Sequence, residues 1–359
     1  MSIAIACGGT GGHIFPGIAV ANVLKKYGKE VVLWLSGRNV EKLTIHDWNG
    51  PVILTRSMGL PGTFSLKTVH AVIAMAHSMY ECFSIMKNHP PEAILAMGGY
   101  GSVGPVLAGK ILNIPIVLHE ANVVPGRAIS MLAPLAKTVA ISFEATAQYF
   151  KHTQTVFTGF PIRQFAQEKL DAPLKPDYFT ILVTGGSQGA HRLNEITSEA
   201  IVQLHNSKKP VQVIHITGIA DEKMIRAKYE ASGVTHVVYP FSTEMGKIYY
   251  TAHFAITRAG AGTCMELTAC KLPALLVPLP YAPRDHQTAN ARIMQTAGHD
   301  MVPESQLTIQ WLVNYIEQLL RNPDKLRQMK QRLSASNIVV PDAAERIAMV
   351  VMKNIPPYK

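Results

Sequence analysis

Cysteine is scarce in this chain: Cys7, Cys82, Cys264 and Cys270 are scattered through 359 residues and no two form a C-x-x-C pair. That pattern argues against a disulfide framework and against a structural zinc site. Long basic runs are missing as well. The formal charge is +10, yet residues 1–160 carry 12 basic and 7 acidic side chains and residues 161–359 carry 22 and 17. The excess is diffuse and no RNA-reading aromatic motif accompanies it, so nucleic acid is not an expected partner. An anionic substrate or an anionic membrane surface suits such a balance. No basic leader with a cleavage site precedes the first apolar run. The most apolar long segment, 68–86, holds His70, His77 and Glu81, which argues against a membrane span. The expectation is a cytosolic protein. Hydrophobic residues make up 48% of the chain, enough to exclude disorder, and the length suits two domains.

What the chain has in quantity is glycine placed directly after apolar runs. An apolar run over 253–257 stops at Arg258, and four small residues, Ala259 to Gly262, follow it. Thr263 then opens a segment with helical composition over 264–271, and 272–279 is apolar again. Strand, glycine turn, helix and strand make a βαβ unit of a parallel sheet. A turn without side chains leaves amide N–H groups at a helix N-terminus, where orphan donors and the positive end of the helix dipole hold phosphate. Glu266 lies one helical turn past Thr263, within reach of a sugar diol beside that phosphate. Thr263-x-x-Glu266 also fits a capping box, so a structural reading of the same pair stands level with it.

The theme recurs three more times. Residues 2–7 read as a strand followed by Gly8-Gly9-Thr10-Gly11-Gly12-His13 and a helix over 14–26. The spacing is neither G-x-x-x-x-G-K-[ST] nor a G-x-G-x-x-G with an acidic partner at the next strand end, since Glu30 precedes the 31–35 strand. A nucleotide triphosphatase and a nicotinamide enzyme are thereby disfavoured. His13 at the helix mouth is either a base able to accept a proton near neutral pH or a loop-packing histidine. A helix over 68–86, flanked by Lys67 and Lys87, has more apolar surface than one face needs; it is a core helix or one that also meets lipid. A strand over 93–97 leads into Gly98-Gly99-Tyr100-Gly101-Ser102 and a helix over 106–112, and a strand over 114–118 ends at His119, Glu120 and Asn122. Ligands of open α/β sheets bind at that edge. The polar stretch 167–177 reads as a connection, after which the pattern restarts with a strand over 179–184, the loop Gly185–Ala190 and a helix over 193–204. Helices follow over 308–320 and 324–334, and a last one over 343–353 has an apolar face that must dock. Two glycine loops in each half predict an α/β protein of two Rossmann-like, doubly wound domains facing across a cleft that holds a phosphate-bearing ligand. The expected boundaries are 1–161, 162–340 and a terminal helix 341–359 packing back on the first domain.

GGTGGHIFPGIAVA (8–21), MGGYGSVGP (97–105), HEAN (119–122), GFPIR (159–163), GGSQGA (185–190), RAGAGTCMELTACKLPALLVPLP (258–280) and HQTANA (286–291) together resemble the MurG family of N-acetylglucosaminyltransferases over nearly the whole chain. The resemblance implies a GT-B fold and inverting transfer of GlcNAc from UDP-GlcNAc to the muramyl C4 hydroxyl of lipid I, giving lipid II and UDP at the cytoplasmic face of the membrane. It implies a donor site of Asn122, Arg163, Ser187, Gln188, Ser242, Ala261, Gly262, Thr263, Glu266 and Gln287. Within that site, Glu266 would bond the ribose hydroxyls, the 261–263 turn would hold the diphosphate and backbone near Phe241 and Ser242 would read uracil. Gln287 and Asn122 would bond GlcNAc hydroxyls. The acceptor diphosphate would rest on Thr10, Gly11, Gly12, Tyr100, Gly101 and Ser102. His13 is the implied base or acceptor-orienting group, with Glu120 a second catalytic candidate. Metal-dependent nucleotide-sugar transferases of the other common fold use an Asp-x-Asp; this sequence has none, in keeping with no metal cofactor. Ala121, Phe160 and Ala259 depart from residues that the family more often carries. The alternative is another GT-B enzyme, a lipid glycosyltransferase or a UDP-GlcNAc epimerase.

Overall fold

The computed structural model describes residues 2–46, 48–55, 66–186 and 189–357. They form two compact units, Met1–Arg163 with Val340–Lys359, and Gln164–Val339. The first runs β1 (Ser2–Ala6), α1 (Gly11–Lys26), β2 (Glu30–Leu35), α2 (Asn39–Thr44), β3 (Val52–Leu54), α3 (Leu66–Asn88), β4 (Ala93–Ala96), α4 (Val103–Ile111), β5 (Ile116–Glu120), α5 (Arg127–Leu132), β6 (Thr138–Ile141) and β7 (Gln154–Phe157). The second runs β8 (Phe179–Thr184), α6 (His191–Asn206), β9 (Val211–Ile216), α7 (Glu222–Ser232), β10 (His236–Tyr239), α8 (Met245–Thr251), β11 (Phe254–Thr257), α9 (Ala261–Ala269), β12 (Ala274–Leu276), α10 (His286–Ala297), β13 (Asp300–Met301), α11 (Ile309–Arg321) and α12 (Pro323–Ala335). The last helix, α13 (Ala343–Asn354), belongs to the first unit.

Each unit is a parallel sheet, ordered β3-β2-β1-β4-β5-β6-β7 in the first and β10-β9-β8-β11-β12-β13 in the second. Parallel strands are covered on both faces and so read as unbroken apolar runs rather than alternating ones. β4, for example, is AILA with every residue buried. The strand order turns back at β1/β4 in the first sheet and at β8/β11 in the second. At such a reversal the loops leaving the two strands diverge and open a crevice, where ligands of this architecture sit. All four glycine loops leave those four strands.

Ile347, Ala348 and Val351 of α13 are fully buried in one core with Ile3, Ile5, Ile14 and Leu24. The amphipathic face of the terminal helix is therefore covered by α1 and the sheet of the first unit. Among the described residues no helix is long and apolar enough to cross a membrane.

Several boundaries differ from the periodicity reading. α1 and α9 each begin three residues earlier than expected, at Gly11 and Ala261. Glycine and alanine carry little helix signal of their own, yet here they form the first turns. β5 runs on to Glu120, so His119 and Glu120 end the strand instead of following it. β3, β6, α7 and α8 are short or polar and carried no readable pattern.

Candidate functional site

In the first unit the crevice at β1/β4 is lined by residues that follow those strands. Thr10 is extended and precedes the helix, and Gly11, Gly12 and His13 form its first turn. His13 N donates back to Thr10 O at 2.9 Å, which leaves the N–H groups of Gly11 and Gly12 as the ones a helix start cannot pair from its own carbonyls. Gly98 and Gly99, after β4, have φ of +105° and +73°, which L side chains rarely adopt. A Cβ added there would stand 3.2 Å and 3.3 Å from atoms of the His13 ring. The histidine of the first loop thus lies directly against the glycines of the second. It is half-buried, its Nδ1 is enclosed without a hydrogen-bond partner, and burial followed by the charge of Arg38 pushes its pKa down to about 4. It is neutral at physiological pH, and correspondingly a weaker base than a histidine titrating near neutrality.

His119, at the end of β5, is buried, with Nε2 3.0 Å from the Ser142 hydroxyl and a pKa pushed down to about 3, by burial first and then by His13. Phe160, one of the departures from the family pattern, is buried and tilts onto the His119 ring at 6.1 Å. The Arg163 guanidinium lies 3.8 Å over the ring of Phe15 on α1, a cation–π contact that holds its head near the helix start.

Three of the expected residues of this unit, Glu120, Gly101 and Ser102, are engaged within the protein. Glu120 accepts from Asn122 N (2.8 Å) and Asn122 Nδ2 (3.0 Å) on one oxygen and from Gly126 N (2.9 Å) on the other. It is buried, and burial raises its pKa. Both oxygens are engaged in shaping the 120–126 loop, so Glu120 holds that loop. Ser102 is fully buried with its hydroxyl donated to Gly98 O (2.8 Å) and Ala6 O (3.1 Å), so it pins the β4 loop from beneath and does not face a ligand. Gly101 is buried too, packed so closely on Gly8 that a Cβ would meet Gly8 O at 2.9 Å. Of the expected acceptor residues after β4, Tyr100 remains partly exposed.

A residue that sequence reasoning missed holds the first glycine loop. Glu41 is buried and accepts from Gly9 N at 2.7 Å, Ser36 N at 3.2 Å and Arg38 N at 3.1 Å, with a further bond from the Ser36 hydroxyl. The Arg38-x-x-Glu41 spacing is that of a carboxylate reaching back to a helix start, but an arginine at the cap hides the signal.

In the second unit the β8/β11 crevice has Gly185, Gly186, Gly189 and Ala190 on one side; Ser187 and Gln188 lie outside the described residues. Gly189 has φ +75°, and a Cβ there would stand 2.3 Å from Thr217 O, so only glycine lets the loop pack on the end of β9. Behind it, Asn194 donates to Thr217 O and to Asp221 Oδ2, both at 2.8 Å, and His191 Nδ1 lies 2.8 Å from Asp221 Oδ1, which raises the His191 pKa. On the other side, Gly260 is the extended cap of α9, and Ala261, Gly262 and Thr263 are its first three residues. Their N–H groups are orphan donors beside a bare glycine. The backbone of Ala259 is clamped by α10: its N–H donates to Gln287 Oε1 at 3.2 Å, and Asn290 Nδ2 donates to its carbonyl at 3.1 Å. Gln287 Oε1 also accepts from Leu279 N at 3.0 Å. Arg258 is buried, paired with Glu304 and bonded to the carbonyls of Val277 and Pro278.

One of the two readings of Glu266, the capping box, is settled by the position of Thr263. Thr263 lies inside α9, not at its cap, so the Thr263–Glu266 capping box does not form. Glu266, mostly buried, instead accepts a hydrogen bond of 2.8 Å from the Tyr249 hydroxyl on α8. Ser242 is half-buried, and its hydroxyl accepts from Glu244 N at 3.1 Å.

Residues 3–141 match the glycosyltransferase family 28 N-terminal domain and residues 180–347 its C-terminal domain. A protein of Gloeothece citriformis named UDP-N-acetylglucosamine--N-acetylmuramyl-(pentapeptide) pyrophosphoryl-undecaprenol N-acetylglucosamine transferase is 35% identical, covering 97% of this chain and 94% of that protein. One of the same name from Myxococcus xanthus is 34% identical, covering 98% and 92%. Among solved structures, Acinetobacter baumannii MurG superposes with a TM-score of 0.73 at 29% identity over 98% of this chain and 99% of that one. A UDP-GlcNAc 2-epimerase from Neisseria meningitidis bound to UDP-GlcNAc reaches 0.74 over 98% and 100%, but at 14% identity that likeness is one of fold alone.

Proposed function

The chain belongs to the family of UDP-N-acetylglucosamine--N-acetylmuramyl-(pentapeptide) pyrophosphoryl-undecaprenol N-acetylglucosamine transferases, and from that premise we propose how its residues divide the reaction. The protein is a GT-B glycosyltransferase that moves GlcNAc from UDP-GlcNAc to the muramyl C4 hydroxyl of lipid I, yielding lipid II and UDP. The acceptor oxygen forms its bond to C1 of GlcNAc on the face opposite the leaving group. The C1–phosphate oxygen bond breaks, and the electron pair departs on the diphosphate.

The observation that carries the donor assignment is the start of α9, where three successive N–H groups open a helix beside Gly260 and Glu266 stands one turn on. Fixed amide dipoles of this kind stabilise charge as it develops on a leaving phosphate without reorganising. In this reading Ala261, Gly262 and Thr263 hold the diphosphate, Glu266 takes the ribose hydroxyls and Arg163 adds positive charge. Gln287, whose amide oxygen is held by two backbone N–H groups, turns its amide N–H groups toward a GlcNAc hydroxyl. Asn122 and Ser242 complete the sugar and base contacts. On the first unit, the N–H groups around Thr10–Gly12 and the partly exposed Tyr100 receive the acceptor diphosphate. Neutral His13 accepts the C4 proton or orients that hydroxyl. No step calls on a metal ion, because amides and a guanidinium supply the positive charge.

The test is transfer of labelled GlcNAc to a lipid I analogue with a chelator present, together with UDP titration of Glu266→Ala. Transfer should persist under chelation, and the variant should bind UDP more weakly by over ~1 kcal/mol, as loss of a charged hydrogen bond predicts. Strict metal dependence, or unchanged UDP affinity, would remove the corresponding assignment.

A further inference from the structure

Tyr249 takes no part in the division of labour just described, yet its hydroxyl is bonded to the Glu266 carboxylate. It is 2% exposed, sits on α8, and donates its hydroxyl to Glu266 Oε2 at 2.8 Å. The ring is held in turn. Phe165, two residues past Arg163, meets it edge-on with centroids 5.7 Å apart at 76°. Gly246, one turn before Tyr249 on α8, gives Phe165 its space: a Cβ there would stand 2.8 Å from the phenyl ring. The same connecting segment is tied to α8 again through Leu170 N, which donates to Thr251 Oγ1 at 2.7 Å. Segment, helix and phenol thus form one rigid stack ending on a carboxylate oxygen.

We propose that Tyr249 is a positioning residue for nucleoside recognition, turning the Glu266 carboxylate so that it meets the ribose diol. This rests on the assignment of Glu266 to the ribose. A carboxylate rotates about its last bond and presents about four lone pairs; accepting one bond from a buried phenol fixes the rotation and leaves capacity for others. Ordering that torsion in advance removes a cost that binding would otherwise carry. The contribution of Tyr249 should therefore appear only when the ligand has hydroxyls for Glu266 to read.

The experiment compares UDP with 2′,3′-dideoxyuridine diphosphate by calorimetry, on the full chain and on Tyr249→Phe, Glu266→Ala and the double variant. The full chain should prefer UDP. Tyr249→Phe should narrow that preference about three- to tenfold, the worth of one hydrogen bond, while leaving the dideoxy ligand within about twofold. In the Glu266→Ala background Tyr249→Phe should leave the preference unchanged, since it acts through the carboxylate. Equal losses for both ligands, or a preference that Tyr249→Phe leaves intact, overturn the inference. If Glu266→Ala itself leaves the preference intact, the ribose assignment fails instead, and the two failures are told apart by which single variant is silent. Should the phenylalanine variant not fold, Phe165→Leu loosens the same stack and should narrow the preference in the same direction; no narrowing counts against the inference.

Discussion

At the scale of single residues, the chemistry is governed by which side chains are denied water. His13 is pressed against Gly98 and Gly99, and burial together with Arg38 brings its pKa down to about 4. A depressed value keeps the neutral, proton-accepting form through the whole range above about pH 4, at the expense of basicity. Two results follow if His13 handles the acceptor proton. His13→Ala should lower kcat on the order of 10²-fold or more while donor affinity changes little, measured by steady-state kinetics beside UDP titration. The acidic limb of kcat/KM should also lie below the ordinary histidine range; a limb at about 6.5 that vanishes in the variant would contradict the burial. Glu120 shows the opposite lesson. A carboxylate at a strand end is a reasonable catalytic candidate from its position, but three donors from residues two to six places on in the chain already occupy it.

At the scale of elements, α3 leaves large apolar side chains uncovered. Cys82 and Met86 are buried against α4 and the sheet, but Ile73 is 62% and Tyr80 70% exposed; the side chains of residues 66–72 lie outside those described. Exposed apolar side chains on a helix with Lys87 in its last turn suit adsorption to an anionic bilayer. This supports the second of the two readings of this helix, that part of its surface meets lipid. Ile73→Glu with Tyr80→Glu should reduce co-sedimentation with phosphatidylglycerol vesicles several-fold while transfer to a soluble lipid I analogue stays near normal. Undiminished sedimentation would move the contact elsewhere.

At the scale of the whole molecule, four histidines among the described residues are held neutral: His13 and His299 with pKa pushed to about 4, His119 and His215 to about 3, all principally by burial. Their folded values lie below the ~6.5 of an unfolded chain, so on acidification the unfolded chain takes up protons first. Stability from these rings is present above that value and is lost progressively as pH falls from about 6.5 toward 4. Urea unfolding at pH 7.5 and pH 5 should show a lower midpoint at pH 5, with each ring costing on the order of 1–2 kcal/mol of stability. A midpoint that does not move would mean the rings take up protons as readily in the folded protein as in the unfolded chain.

Chain order alone determined the two parallel-sheet units, the four glycine turns and the residues Ala261 to Glu266, because these follow from local rules. A strand buried on both faces must be an apolar run, and three of the four turns place glycine at φ above zero, at Gly9, at Gly98 and Gly99, and at Gly186 and Gly189. Nothing local encodes which carboxylate closes which loop. Glu41 bonds Gly9 from 32 residues away and Tyr249 bonds Glu266 across 17. Those pairings arise only once crossover connections set strand order and lay β2 beside β1 and β11 beside β8. The tertiary structure likewise decided that Ser102 and Glu120 face inward and that His13 Nδ1 is enclosed, since burial is a property of what packs around a residue rather than of its neighbours in sequence.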